Sequence, residues 1–237
     1  MNIAVQLEKI IKPNDCYEIG YANVEGCLKP ELINYKYAIS FVRRLEDHII
    51  DKVNSGPTRP YLNQYHRVNN ELTTNISNVS SFLTKKGIVN LPISPTNEGN
   101  ELTEYEKVTM RLPFSHKMAA TRAGLGWIGK TDLLITQKYG PRVRLATILL
   151  ENKIGETGTP IIKSRCGECN ICVLRCPAQA ANGKIWDTAT DRDLFYDPFK
   201  CRNMCRILSK KNINEDISLC GICVSVCPKG RNGGIGK

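Results

Sequence analysis

Cysteine spacing constrains this 237-residue chain more than any other feature. Of its eleven cysteines, Cys16 and Cys27 stand alone near the N-terminus, and the other nine lie between Cys166 and Cys227. The stretch "RCGECNICVLRCP", residues 165–177, places Cys166, Cys169, Cys172 and Cys176 in a C-x2-C-x2-C-x3-C run closed by Pro177. Cys220, Cys223 and Cys227, followed by Pro228, repeat the C-x2-C-x3-C-P half. This is the bacterial ferredoxin spacing, in which the last cysteine of a run ligates the other cluster. The reason is reach: three thiolates on a tight loop hold three irons of one cube, and the fourth, a helical turn further on, points to the neighbouring cube.

Two cubes need eight thiolates and the runs supply seven, so Cys201 or Cys205 completes the set. "DPFKC" reads as a loop leading into a short helix that begins "RNMCRIL", which selects Cys201. The expected ligands are Cys166, Cys169, Cys172 and Cys227 for one [4Fe-4S] cluster and Cys176, Cys201, Cys220 and Cys223 for the other. A zinc ribbon built on Cys166-x2-Cys169 and Cys220-x2-Cys223 uses four thiols and leaves five in this region unexplained. Cys16 and Cys27 read as ordinary small apolar residues.

Structural disulfides are rare in the cytosol, so this cysteine usage points to metal and redox chemistry there. No signal peptide and no membrane-spanning apolar run is read, and the expected location is cytoplasmic, with no membrane partner. The formal charge is +10. Two clusters at about −2 each reduce it to about +6, a moderately basic, solvated lysine-rich surface.

Two regions are expected, residues 1–155 with mixed helix and strand signals and residues 156–237 with the cysteines. "KYAISFVRRL" (36–45) starts like a buried strand. Residues 61–87 carry Leu62, Tyr65, Leu72, Ile76, Val79 and Leu83 at helical spacing, with Gly87 as the stop. Residues 92–100 read as a loop and 115–124 as a helix. "DLLITQ" and "RVRLATILLE" read as strands flanking Tyr139-Gly140-Pro141. "GLGWIG", Gly124–Gly129, matches a dinucleotide-binding spacing, but that motif needs a strand before it and a helix after it. Here a helix precedes and a strand follows, so the glycines mark either a tight structural turn or a loop that a cofactor approaches.

"RAGLGWIGKTDLLIT" (122–136), Pro113, "QYHRV" (64–68) and the cysteine order together resemble the epoxyqueuosine reductases over nearly the whole chain. The resemblance implies an α+β fold: an N-terminal cobalamin-binding-type domain followed by a ferredoxin-like double-cluster module. It further implies electron flow through the two clusters to cobalamin, with reduced cobalt as the reductant of an epoxide on a tRNA base. The implied cobalamin site comprises Tyr65, His66 and the turn Arg122, Gly124, Leu125, Gly126, Trp127, Ile128, Gly129 and Lys130.

Against that pattern, Gln64 replaces the family's usual aspartate before Tyr65-His66. Met110 stands where the family has its proton-donating aspartate, and His116-Lys117 replaces a glutamate–arginine pair. His116, with Tyr105 as a second candidate, is the expected substitute acid. The sequence ends ten residues after Cys227, and the resemblance leads to the expectation that the family's tRNA-gripping helical-repeat domain is absent. The expectation is therefore a cobalamin- and iron–sulfur-dependent reductase of a small-molecule or corrinoid-linked substrate, with ferredoxin or flavodoxin as electron donor and tRNA not a partner. The alternative is an electron-transfer protein that reduces a corrinoid or other redox partner without substrate chemistry of its own.

Overall fold

A computed structural model describes residues 3–11, 16–96 and 102–231. They form two compact units that interleave along the chain. The first takes the described residues up to Arg44, Val68–Leu125 and Arg144–Ile161; the second takes Leu45–Arg67, Gly126–Val143 and the described chain from Ile162 on. The expected division near residue 155 remains a proposal for where the cluster-binding module begins.

The first unit is built on a four-stranded sheet in the order β1-β2-β6-β3. Its strands are β1 (Tyr17–Asn23), β2 (Tyr37–Arg44), β3 (Asn90–Ile93) and β6 (Val143–Leu150). β1 and β2 are antiparallel with Gly20 opposite Ser40, and β3 and β6 are antiparallel with Leu91 opposite Leu149. β2 is buried over six consecutive residues, Ala38 to Arg43. A strand covered on both faces reads as a continuous apolar run, which is why "KYAISFV" was legible.

α3 (Arg59–Lys85) is the long helix expected from the apolar spacing. Its Leu72, Ile76, Val79 and Leu83 are all at most 2% exposed, on the stripe the periodicity marked. Gly87, at φ +73, follows its end as the expected stop. Glu71 on α3 accepts from the Arg43 guanidinium at 3.0 Å, which ties the helix to β2. α5 (His116–Arg122) starts at the Ser115 cap and packs on β1 and β2. The loop expected at 92–100 begins two residues late, because Pro92 and Ile93 complete β3 against Ile148 and Thr147. Residues 97–100 of that reading lie outside the described residues.

The second unit contains a two-stranded hairpin, β4 (Gly126–Ile128) and β5 (Leu134–Thr136), with Trp127 opposite Ile135. The glycine turn is thus itself half a hairpin. α2 (Asp47–Ile50), α6 (Ile171–Leu174), α7 (Pro198–Ile213) and α8 (Ile222–Val226) complete the unit. α6 packs against α8, so the two helices that follow the paired cysteine loops lie side by side. Arg142 is fully buried and joins Asp47 at 2.9 Å to Asp51 at 2.6 Å. Its guanidinium also reaches the Ser225 carbonyl of α8 at 3.4 Å, and the Ser225 hydroxyl donates to the Val53 carbonyl at 2.6 Å.

One element differs from its expectation in a way that matters for the ligands. α7 was expected to begin after Cys201. It begins at Pro198, because the Asp197 carboxylate accepts from the Phe199 and Lys200 amides and proline fits the first helical turn. Cys201 and Cys205 therefore lie on one helix, one turn apart and on one face.

Candidate functional site

The cysteine side chains of the second unit sort by their mutual influence. The Cys227 thiol is pushed up to about 11, first by burial and then by the neighbouring Cys172, Cys166 and Cys169 sulfurs. Burial also raises Cys172, with Cys166 and Cys169 again beside it. Burial raises Cys223 strongly, and its sulfur neighbours are Cys220, Cys201, Cys172 and Cys176. Cys227 thus lies near the first three cysteines of the early run, while Cys223 lies near Cys220, Cys201 and Cys176 and also near Cys172 of the other expected set. The expected ligand sets remain a proposal; four thiolates around each cube are the donor set a four-iron cluster requires.

Among the described residues no group of three or more His, Cys, Asp or Glu side chains is placed to hold a single metal ion. A cube instead spreads its thiolates over four separate irons.

Cys201 and Cys205 form the irregular corner. Their sulfurs are 3.8 Å apart. Hydrogen bonding from Cys205 is the largest cause holding the Cys201 and Cys220 thiols below their ordinary range, while Cys205 itself is raised and keeps its proton. The Tyr196 hydroxyl, on a half-buried side chain and raised above a normal phenol first by desolvation, also hydrogen-bonds Cys201.

The hairpin and the residues after β4 line the cysteine loops. Trp127 is 5% exposed and its indole Nε1–H points at Cys166 Sγ, 3.4 Å away. The Arg165 guanidinium lies 5.8 Å from the centre of the same indole ring. Lys130 is buried and its Nζ donates to the Asn170 side-chain oxygen at 2.8 Å, inside the loop between Cys169 and Cys172. Thr131 hydrogen-bonds Cys172. Sequence reasoning assigned Trp127 and Lys130 to a corrin site; in the second unit they address the cysteine loops. It missed Thr131, Asn170 and Tyr196. The one signal for Thr131 was its place directly after the "GLGWIGK" stretch.

What approaches the glycines is the chain itself. Gly124 has φ +74, and a Cβ there would meet the Thr159 carbonyl oxygen at 2.8 Å. A Cβ on Gly126 would stand 2.3 Å from the Ile135 carbonyl oxygen across the hairpin. Leu125 and Ile128 are buried, and the Arg122 guanidinium donates to the Asn23 carbonyl in the first unit.

Tyr65 and His66 follow one another on α3 with rings edge to face at 5.5 Å; Tyr65 is half-buried and His66 exposed. Beside them Gln64 is 2% exposed, and neither its oxygen nor its nitrogen has a hydrogen-bond partner.

The two candidate acids both belong to the first unit. His116 Nε2 donates to the Ser94 carbonyl at 2.9 Å, and Nδ1 lies 2.8 Å from the Thr147 hydroxyl. Burial lowers its pKa to about 4, so the ring is neutral at pH 7 with both nitrogens engaged. Tyr105 is 54% exposed, and the Lys29 ammonium sits 4.7 Å from its ring centre. Met110, at the position of the family's acid, caps α4 (Glu104–Thr109) in a left-handed conformation.

Residues 165–230 match the family model of a 4Fe-4S double cluster binding domain. Curated relatives are epoxyqueuosine reductases. That of Synechocystis sp. is 32% identical over 119 residues, covering 49% of this chain and 39% of its own. That of Listeria monocytogenes is 45% identical over 65 residues, covering 27% of this chain and 17% of its own. The chain is thus similar to the epoxyqueuosine reductases over about half of its length.

The chain spans less than two fifths of the length of these curated relatives. The fold is shared more widely. The solved epoxyqueuosine reductase of Streptococcus thermophilus superposes with a TM-score of 0.63 at 20% identity, covering 98% of this chain and 67% of that one. A reductive dehalogenase, whose structure is described as suggesting a mechanism for B12-dependent dehalogenation, superposes with a TM-score of 0.68 at 19% identity, covering 91% of this chain and 30% of that one. The fold class is accordingly the expected one, α+β with a double-cluster module.

Proposed function

We propose that this chain is the redox core of a corrinoid-dependent reductase, passing electrons one at a time through two [4Fe-4S] clusters. The observation that carries the reading is the match of residues 165–230 to a 4Fe-4S double cluster binding domain; the proposed ligands are Cys166, Cys169, Cys172 and Cys227 for one cluster and Cys176, Cys201, Cys220 and Cys223 for the other. When bound, the clusters supply one-electron carriers and the corrinoid a strong reductant at cobalt. The chain's own residues do the rest. Trp127 and Thr131 direct donors at two cluster thiols, and Lys130 keeps a positive charge in the loop that holds them, offsetting the negative charge that thiolates and sulfides bring.

For the corrinoid, the supporting observation is Gln64. A buried amide without partners costs about 1–3 kcal/mol, so a polar ligand is favoured there. A corrin rim rich in carboxamides supplies matching donors and acceptors. Gln64, with Tyr65 and His66 beside it, is the proposed contact. The glycine turn is left out of it, since its tight approaches are made by Thr159 and Ile135.

The relatives' name makes epoxyqueuosine in tRNA the first substrate to test, and the expectation that tRNA is not a partner finds no support among them. The alternative, electron delivery without substrate chemistry, is favoured by one observation: His116 holds no spare proton at neutral pH. Two experiments test the reading. Titrating a corrinoid into reconstituted protein should shift the corrinoid's visible bands saturably; unchanged bands and no co-elution on gel filtration would remove the corrinoid. Expression in a strain without its own epoxyqueuosine reductase, followed by nucleoside analysis, separates the substrates: queuosine restored assigns epoxyqueuosine, and queuosine absent favours the alternative.

A further inference from the structure

The second cluster has more thiols at one corner than a cube can use. Cys201 and Cys205 share one face of α7, with sulfurs 3.8 Å apart. Cys205 also hydrogen-bonds Cys220, which belongs to the same cluster set. Three sulfurs therefore crowd a corner where the two-cluster reading places two iron ligands. Cys205 is 8% exposed, whereas Cys201 is half-buried. Asp197 and Pro198 fix the first turn of the helix that carries both, so neither thiol needs a backbone rearrangement to exchange places with the other.

We propose that Cys205 is a reserve ligand of the second cluster, able to take the iron held by Cys201. The exchange is a proton-coupled ligand swap with no change in oxidation state. The iron–sulfur bond to Cys201 breaks, the bond to Cys205 forms, and the Cys205 proton passes to the departing Cys201 thiolate. A cluster with such a corner survives the withdrawal of one ligand. The swap also moves the iron's ligand from a half-exposed position on α7 to a buried one.

The inference rests on the two-cluster reading, and iron content separates the failure of one from the failure of the other. Wild-type protein reconstituted anaerobically should hold about eight irons per chain; about four, or zinc alone, would remove the reading beneath this proposal. Given eight, Cys201→Ala and Cys205→Ala should each keep about eight, and the double variant about four. The reduced Cys201→Ala protein should also show an electron paramagnetic resonance spectrum altered for one cluster only. A fall to about four irons in Cys201→Ala alone, with native circular dichroism, would overturn the proposal, as would eight irons in the double variant. Cys176→Ala, which has no reserve thiol in this scheme, serves as the control for one-cluster loss in a folded chain. If the double alanine variant does not fold, Cys201→Ser/Cys205→Ser preserves volume and polarity and is read the same way.

Discussion

Trp127 gives a single side chain a measurable effect on the proposed electron path. Its N–H points at Cys166 Sγ, and a donor at a ligating sulfur favours the more negative, reduced cluster. Trp127→Phe keeps the ring and removes the donor. A differential of about 1 kcal/mol between oxidation states corresponds to ~40 mV for one electron, so one cluster potential should fall by that order in a redox titration. An unchanged potential would leave Trp127 as packing only.

His116 gives the second residue-scale prediction. Its folded pKa of about 4 lies below the ordinary 6.5, so the unfolded chain takes up the proton first as pH drops. The His116 contribution is fully present above 6.5 and is lost as pH falls from there toward 4. Denaturant midpoints measured across that window should decline less in His116→Gln than in wild type. A parallel decline in both would show that the ring is not the group responsible. The tryptophan, lysine and histidine were all singled out in the sequence, but their partners were not. Whether Trp127 faces a corrin or a thiol depends on pairing across the hairpin, and a residue list carries no such information.

At the scale of elements, local chemistry explains both what was legible and what was not. α3 could be read because four fully packed apolar residues recur at its period. The start of α7 was missed by four residues because the cap chemistry of Asp197-Pro198 was read as loop. The choice of Cys201 over Cys205 rested on that boundary and stays a proposal. Asp197→Ala removes the acceptor for two helix N–H groups and should cost about 1 kcal/mol by chemical denaturation. No loss would mean that water serves those amides equally well. β4 was hidden because its glycine was read for its turn and not for the strand it faces. Gly126→Ala sets a methyl against the Ile135 carbonyl and should destabilise by about 1–3 kcal/mol. Stability within 0.5 kcal/mol of wild type, the ordinary range for a neutral substitution, would mean that the hairpin shifts to make room.

On the scale of the whole molecule, the two units interleave, and no composition shift in the sequence marks their joins at residues 44–45, 67–68, 125–126, 143–144 and 161–162. The cysteine-rich tail was legible as a module because its spacing reports a metal geometry directly. The segments that complete the second unit, Leu45–Arg67 and Gly126–Val143, were not, because a contribution to a neighbour's core is an ordinary apolar pattern in sequence. The proposed function depends on one composition, two four-iron clusters held by crossed thiolates. The direct measurement is iron, sulfide and zinc per chain after anaerobic reconstitution, with the visible spectrum. About eight irons and eight sulfides, with broad absorbance that bleaches on reduction, are predicted. Saturation at four irons, or stoichiometric zinc without visible absorbance, would contradict it.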